Sequence, residues 1–237
     1  MTPRAKGLWE RERYDTAAMT LFKYLPYQYA ELFVVSGEVK FRSLSYFLAC
    51  EHEERGDGLE GTRLYDPPTG LEITKQTGEK ITTRRSFQSS VKEPERLFIY
   101  STSTLLSADL ALKFQTDSCV EIANIGAFVA RLKTALRRNP RAKLNTLRHG
   151  KVAYYLPEDP PEEVWALPDL IVMHKPQRFA YQCEYRFVFS TKADAFKFEN
   201  VNLALVQGQP DRLPMADYPA MQLKLGSMGD CCRIHRF

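Results

Sequence analysis

The sequence predicts a mixed α+β fold with short helices. Three observations carry that reading. Stretches of apolar–polar alternation recur along the chain, one stretch alone keeps a sustained helical period, and the two kinds do not follow each other in regular β-α-β order. The chain has 237 residues, 44% hydrophobic and 26% charged, enough for a full core without an apolar excess. Its 14 prolines and 12 glycines are scattered, so no linker divides it. The expected organisation is a charged leader over residues 1–18 and one domain over 19–237.

Taken in order, "MTLFKYLP" predicts a short strand stopped by Pro26, and "YQYAELFVVSG" a short helix closed by Gly37. "EVKFRSLSYFLAC" predicts a strand, with Val39, Phe41, Ser43 and Ser45 alternating against Lys40, Arg42, Leu44 and Tyr46. "EHEERGDGLEGT" is a polar, glycine-punctuated loop. "DPPTGLEITKQTGEKITTRRSFQSS" suggests a hairpin and a polar connection. "RLFIYSTST" and "SCVEIA" are strands, with a short helix between them over "ADLALK".

"NIGAFVARLKTALRRN" is the clearest helix. Asn124 can cap it, Ile125, Phe128, Val129, Leu132 and Leu136 form its apolar stripe, and Asn139-Pro140 ends it. "KVAYYLP" predicts a strand and "PPEEVWALPDLIVMHKP" a short helix. "FAYQCEYRFVFS" predicts a strand over residues 179–190. Phe179, Tyr181, Cys183, Tyr185, Phe187 and Phe189 share one face, and Gln182, Glu184 and Arg186 stand in a row on the other. "VNLALVQG" and "MQLKLGSMGDCCRIHRF" supply the last strands.

The net charge of +4 is too small to name a nucleic acid or membrane partner. The N-terminus has no apolar core of the signal-peptide kind, and no run is long enough to span a bilayer, so the expected location is cytoplasmic. Five cysteines without C-x-x-C spacing point to buried thiols, with Cys183 on the core face of its strand. Glu51, Glu53, Glu54, Asp57 and Glu60 crowd the acidic loop. It lacks EF-hand spacing, so a solvated loop competes with a weak cation site, and no metal is expected. From Arg131 to Lys151 every charged residue is basic, and a solvated helix face competes with a phosphate-contacting surface around Arg137, Arg138 and Arg141.

A carboxylate beside an amide on one strand face can accept a ribose hydroxyl and stabilise a developing cation; a solvated polar face is the plain alternative. The compact unit "LFKYLPYQYAELFVVSGEVKFRSLSYF", followed late by Gln182-Cys183-Glu184, resembles the ADP-ribosyltransferase fold, a split sheet around a cleft. "VKFRSLSYFLACEHEERGDGLEGT", "LFIYSTSTLLSADLALKFQTDSCVEI" and "KPQRFAYQCEYRFVF" are similar to a bacterial group related to the AbiGi-type abortive-infection proteins. "YSTST" resembles the S-T-S element of the arginine-serine-glutamate transferases. The first strand departs from the better-known classes, offering Lys23 in place of arginine or histidine.

The resemblance implies an NAD-dependent ADP-ribosyltransferase or NAD glycohydrolase, acting as a toxin or phage-defence effector inside bacteria. It implies Glu184 and Gln182 as the catalytic pair. Lys23, Tyr24, Arg42, Ser43, Tyr46, Phe47, Ser101 and Arg186 would hold NAD, which is substrate rather than resident cofactor. Asp57 and Glu60 would stand near the cleft mouth. The acceptor would be a macromolecule, nucleic acid or protein, met through Arg137, Arg138 and Arg141. A non-catalytic binding module on the same scaffold is the alternative.

Overall fold

The computed structural model describes residues 19–49, 58–207 and 218–237. Within them the fold is mixed α and β, with more strand than helix. The leader over residues 1–18 lies outside the described residues, as do Glu51, Glu53, Glu54 and Asp57 of the acidic loop.

Strand β1 (Leu21–Leu25) meets Pro26, and helix α1 (Tyr27–Ser36) begins directly after it. Gly37, at φ 67°, closes that helix, its N–H returning to the carbonyls of Leu32 and Phe33. Strand β2 runs Glu38–Ser43 and buries Val39, Phe41 and Ser43 as the alternation predicts. It stops at Ser43, where alternation would have carried it on to Ser45. The Ser43 hydroxyl accepts from Tyr46 N–H at 3.3 Å, an N-cap contact that starts helix α2 (Leu44–Ala49).

Strand β3 (Thr62–Tyr65) pairs with β6 (Ser86–Val91), and β4 (Leu71–Thr74) with β5 (Lys80–Thr83) forms the expected hairpin. The polar "SFQSSV" is therefore strand, not connection. Strand β7 (Leu97–Ser103), helix α3 (Ala108–Lys113), strand β8 (Ser118–Ile122) and helix α4 (Ile125–Arg138) follow the sequence reading closely. Asn124 Oδ1 accepts from Ala127 N–H at 2.9 Å, the predicted cap.

The basic stretch after α4 is strand β9 (Lys143–Lys151), where a helix face and loop were expected. Strand β10 (Ala153–Tyr155), helix α5 (Pro168–Ile171) and strand β11 (His174–Pro176) come next. Strand β12 (Glu184–Ser190) starts later than predicted, because residues Gln177–Gln182 form a 3-10 helix and Cys183 takes a left-handed φ of 45°. Strands β13 (Val201–Val206), β14 (Ala220–Lys224) and β15 (Cys232–Arg236) complete the described chain.

Eight strands form the main sheet, in the order β14-β2-β7-β1-β8-β15, with β12 pairing β7 and β9 beyond it. Strand β7 makes this sheet fork. One of its edges pairs with β12 from Leu97 through Ser103. The other edge is shared: β2 meets it at Phe98 and Ile99, and β1 at Ser103. Between those contacts, Tyr100, Ser101 and Thr102 face a gap where the two neighbouring strands part.

The sheet has two different faces. Tyr185, Phe187 and Phe189 of β12 pack with Phe41, Phe98 and Tyr100 beneath Phe33 of α1 and Phe128 of α4. Phe128 meets Phe187 edge-on at 5.0 Å and stacks on Phe33 at 6.1 Å. The opposite face of β12 carries Glu184, Arg186 and Val188 under α2, α5 and the segment before β11. Burying aromatics on one side fixes the register, so the charged residues have no choice but the other.

Candidate functional site

A cavity of about 530 Å³ opens at the fork, within the size range of small-molecule sites. Lys23, Tyr24, Arg42, Tyr46, Phe47, Ser101, Gln182, Glu184 and Arg186 all line it, drawn from β1, β2, α2, β7, the 3-10 turn and β12. Ser43 does not. It is fully buried, and its hydroxyl sits 2.8 Å from Ser45 Oγ while capping α2. The alternation that put Ser43 on the inner face also put it out of reach.

Four charged side chains meet in the inner wall. Arg186 donates Nε to Glu184 Oε1 at 2.6 Å and Nη1 to Glu60 Oε1 at 2.5 Å. Lys175 Nζ lies 3.1 Å from Glu184 Oε2 and 3.8 Å from Glu60 Oε2. All four are nearly inaccessible to water, with Arg186 only 1% exposed. Burial alone would disfavour the Glu184 carboxylate, but Arg186 and Lys175, with hydrogen bonds from Arg186 and Ser101, hold its pKa well below the usual range. Arg186 is correspondingly raised: burial opposes its charge and the two glutamates more than restore it.

Gln182 reaches the same wall without being part of the strand. Its Oε1 accepts from Lys175 Nζ at 3.0 Å. The row Gln182, Glu184, Arg186 therefore exists in space, but a tight turn makes its first step. The "STST" hydroxyls hold that turn. Thr102 Oγ1 donates to Tyr185 O at 2.9 Å, Ser103 Oγ to Gln182 O at 2.8 Å, and Thr104 Oγ1 to Cys183 O at 3.2 Å, where the Thr104 backbone N–H also donates at 2.8 Å. Cys183 consequently leaves the core face predicted for it and is half-buried at the turn, while Cys119, Cys231 and Cys232 are buried and free.

Lys23 enters the gap in the sheet. Its Nζ donates to the Ser101 carbonyl at 2.7 Å and lies 4.5 Å over the Tyr100 ring. This satisfies a carbonyl that the diverging strands leave behind. Tyr24 donates to Leu105 O at 2.7 Å and accepts from Ser107 N–H at 2.7 Å; burial pushes its pKa up to about 12. Arg42 stacks on Tyr46 at 4.5 Å, and Phe47 meets Tyr46 edge-on at 5.4 Å.

Two residues of the site, Lys175 and Tyr154, were not singled out for it by sequence reasoning, and a third, Glu60, was placed differently. Lys175 was an unremarked lysine before "PQRF". Tyr154, whose hydroxyl accepts Glu184 N–H at 2.8 Å, has its pKa pushed up to about 12 by burial. Glu60 was expected at the cleft mouth and is instead buried against Arg186. The nearest signal lay in "GLEG": Gly61 takes a left-handed φ of 65°, and a Cβ there would lie 2.4 Å from Leu44 Cδ2, so only glycine fits beside Glu60.

The basic segment lies elsewhere. Helix α4 packs on the Phe187 face of β12, so Arg137 and Arg138 stand across the sheet from Glu184. Arg131 pairs with Asp230 at 2.7 Å and Arg148 with Asp169 at 3.4 Å. Among the described residues, no helix is long and apolar enough to cross a membrane. Comparison with protein-family models, with curated proteins and with solved structures gives no match.

Proposed function

We propose that the forked sheet is an ADP-ribosyltransferase-like cleft that binds NAD and cleaves its nicotinamide–ribose bond. The observation that carries this reading is convergence. Residues 23, 42, 46, 101, 182, 184 and 186, far apart in sequence, border one cavity of suitable size.

The chemistry follows from the charges. Heterolysis of the bond sends its electron pair to nicotinamide and leaves a ribosyl cation, which water or an acceptor nucleophile then captures. An ionised carboxylate fixed beside that carbon stabilises the developing charge without reorganising. Glu184 supplies it, and the Ser101 hydroxyl helps to hold it. Both Glu184 oxygens already accept hydrogen bonds, so its role is electrostatic, with a ribose hydroxyl as an additional donor. Lys40 and Arg42 add positive charge for the pyrophosphate, and the aromatic side chains of Tyr46 and Phe47 supply surface for a ring. Gln182 orients the acceptor, and a host cell exposed to this turnover would experience it as a toxin or defence effector.

The test is nicotinamide release from NAD in the presence of a cell lysate. Wild type should release it, and Glu184→Gln should lower the rate by about a hundred-fold or more while keeping most of the affinity. No release by wild type would overturn catalysis. A saturable thermal shift with NAD would then leave the binding module, a reading favoured by the full set of donors already on Glu184. Its partner surface would be the exposed Arg137, Arg138 and Arg141, none of which has an ion-pair partner among the described residues.

A further inference from the structure

Resting on the NAD reading, we propose that Glu60 is a positioning residue that acts through Arg186 to set the charge of the inner wall, making the cavity selective for a dinucleotide with a cationic ring, NAD⁺ over NADH. Glu60 and Glu184 carry two negative charges, and Lys175 and Arg186 two positive, so the four sum to zero. Arg186 is divided between the two carboxylates at 2.5 and 2.6 Å. If Glu60 were absent, the same wall would carry one net positive charge beside the carbon where positive charge develops.

The rest of the described lining suits a cationic ring less well. Among the described residues it adds Lys23, Lys40 and Arg42 against Glu38, a set that favours phosphates over a pyridinium. Glu38 is itself engaged by Gln222 at 2.9 Å and Lys224 at 3.6 Å. The charged ring therefore belongs beside the balanced wall. A buried charge acts on it there through a medium far less screening than water.

The experiment is a comparison of NAD⁺ and NADH affinities by calorimetry in wild type, Glu60→Gln, Lys175→Met and the double variant. NADH carries the same phosphates with a neutral ring, so the ratio isolates the wall's charge. Glu60→Gln should shift the ratio toward NADH by a factor on the order of ten, and Lys175→Met should shift it toward NAD⁺. The double variant should return close to wild type, whereas a merely structural role predicts that two deletions are worse than one. Glu60→Asp, keeping the charge, should preserve the ratio.

Should Glu60→Gln fail to fold, the opposite shift in Lys175→Met decides the matter by itself. A ratio that stays constant across folded variants that still bind overturns the inference and leaves the cleft reading standing. Wild type that binds neither nucleotide overturns both.

Discussion

Arg186 holds Glu184 from two positions along one strand, with Nε on Oε1 at 2.6 Å and Nη2 on Oε2 at 3.2 Å. Neighbours two apart on a strand face are spaced for such a fork, and the guanidinium is planar enough to use it. The same guanidinium reaches Glu60 and the Val172 carbonyl, tying β12 to the turn before β3 and to the segment after α5.

Arg186→Met should therefore be among the most damaging substitutions in the protein. It leaves Glu60, Glu184 and Lys175 buried with one uncompensated negative charge, a loss typically of about 3–5 kcal/mol. Arg186→Lys keeps the charge but cannot engage two carboxylates and a carbonyl together, so it should recover only part. Urea midpoints at constant slope measure both; a loss under about 1 kcal/mol for Arg186→Met would contradict the geometry.

Acid should destabilise the fold in two steps. Burial holds the pKa values of His149 and His174 below their ordinary 6.5. As pH falls through that value the unfolded chain takes up protons first, so stability declines from there down to the folded pKa values. Glu184 adds the second step: its stabilisation is fully present above its unfolded value near 4.5 and drains away as pH falls toward its depressed folded value. Melting temperatures between pH 8 and 3 should show both, and His149→Gln should flatten the upper one. A wild-type profile level from pH 7 to 5 would refute the first step.

The turn at Cys183 should favour glycine. A left-handed residue other than glycine costs roughly 1–2 kcal/mol, and Cys183 has a φ of 45° with a half-buried thiol making one long contact to Ala180 O at 3.7 Å. Cys183→Gly should hold or raise stability by up to about 1 kcal/mol, and Cys183→Val should lower it, since a β-branched side chain fits this conformation worst. Equal destabilisation by both would mean that the thiol packs more than its position indicates.

Periodicity made much of this legible. Gly37 ends α1, Asn124 starts α4 and "LFIYSTS" makes β7, because cap, stripe and alternation are local signals that burial then reinforces. Ser43 shows the limit of that method. Its strand pattern was correct through residue 43, but a serine that caps the next helix looks, in sequence, like one more inward residue. The 177–182 turn escaped for a related reason: alternation continues unbroken through "FAYQCEYRF", while hydroxyls from Ser103 and Thr104, about 80 positions earlier, draw the backbone into a turn. Strand β9 was hidden by its charge, since lysine and arginine along a strand edge serve to keep it from pairing with another chain and read as a solvated loop. Of the side chains named for NAD and catalysis, all but Ser43 line one cavity; Lys175, whose part depends entirely on packing, was not among them.

The basic segment gives the last prediction, because its placement separates two kinds of partner contact. Arg137 and Arg138 end α4, where cations also complement the helix dipole, and Arg141 follows in the exposed turn before β9. If these three meet phosphates, affinity for a nucleic acid should fall steeply with salt, each phosphate contact adding about −0.7 to −0.9 to the slope of log affinity against log salt. Reversing all three to glutamate should abolish binding at low salt and flatten that slope. Because the sheet stands between this surface and Glu184, the reversal should leave NAD affinity unchanged, and Glu184→Gln should leave nucleic-acid affinity unchanged. Fluorescence anisotropy with a labelled oligonucleotide from 50 to about 300 mM salt, a range over which such contacts weaken by orders of magnitude, reads the first pair of outcomes, and calorimetry reads the second. Absence of binding at the lowest salt would return these arginines to solubility and helix-end electrostatics; coupling between the two measurements would mean that the sheet transmits one site to the other.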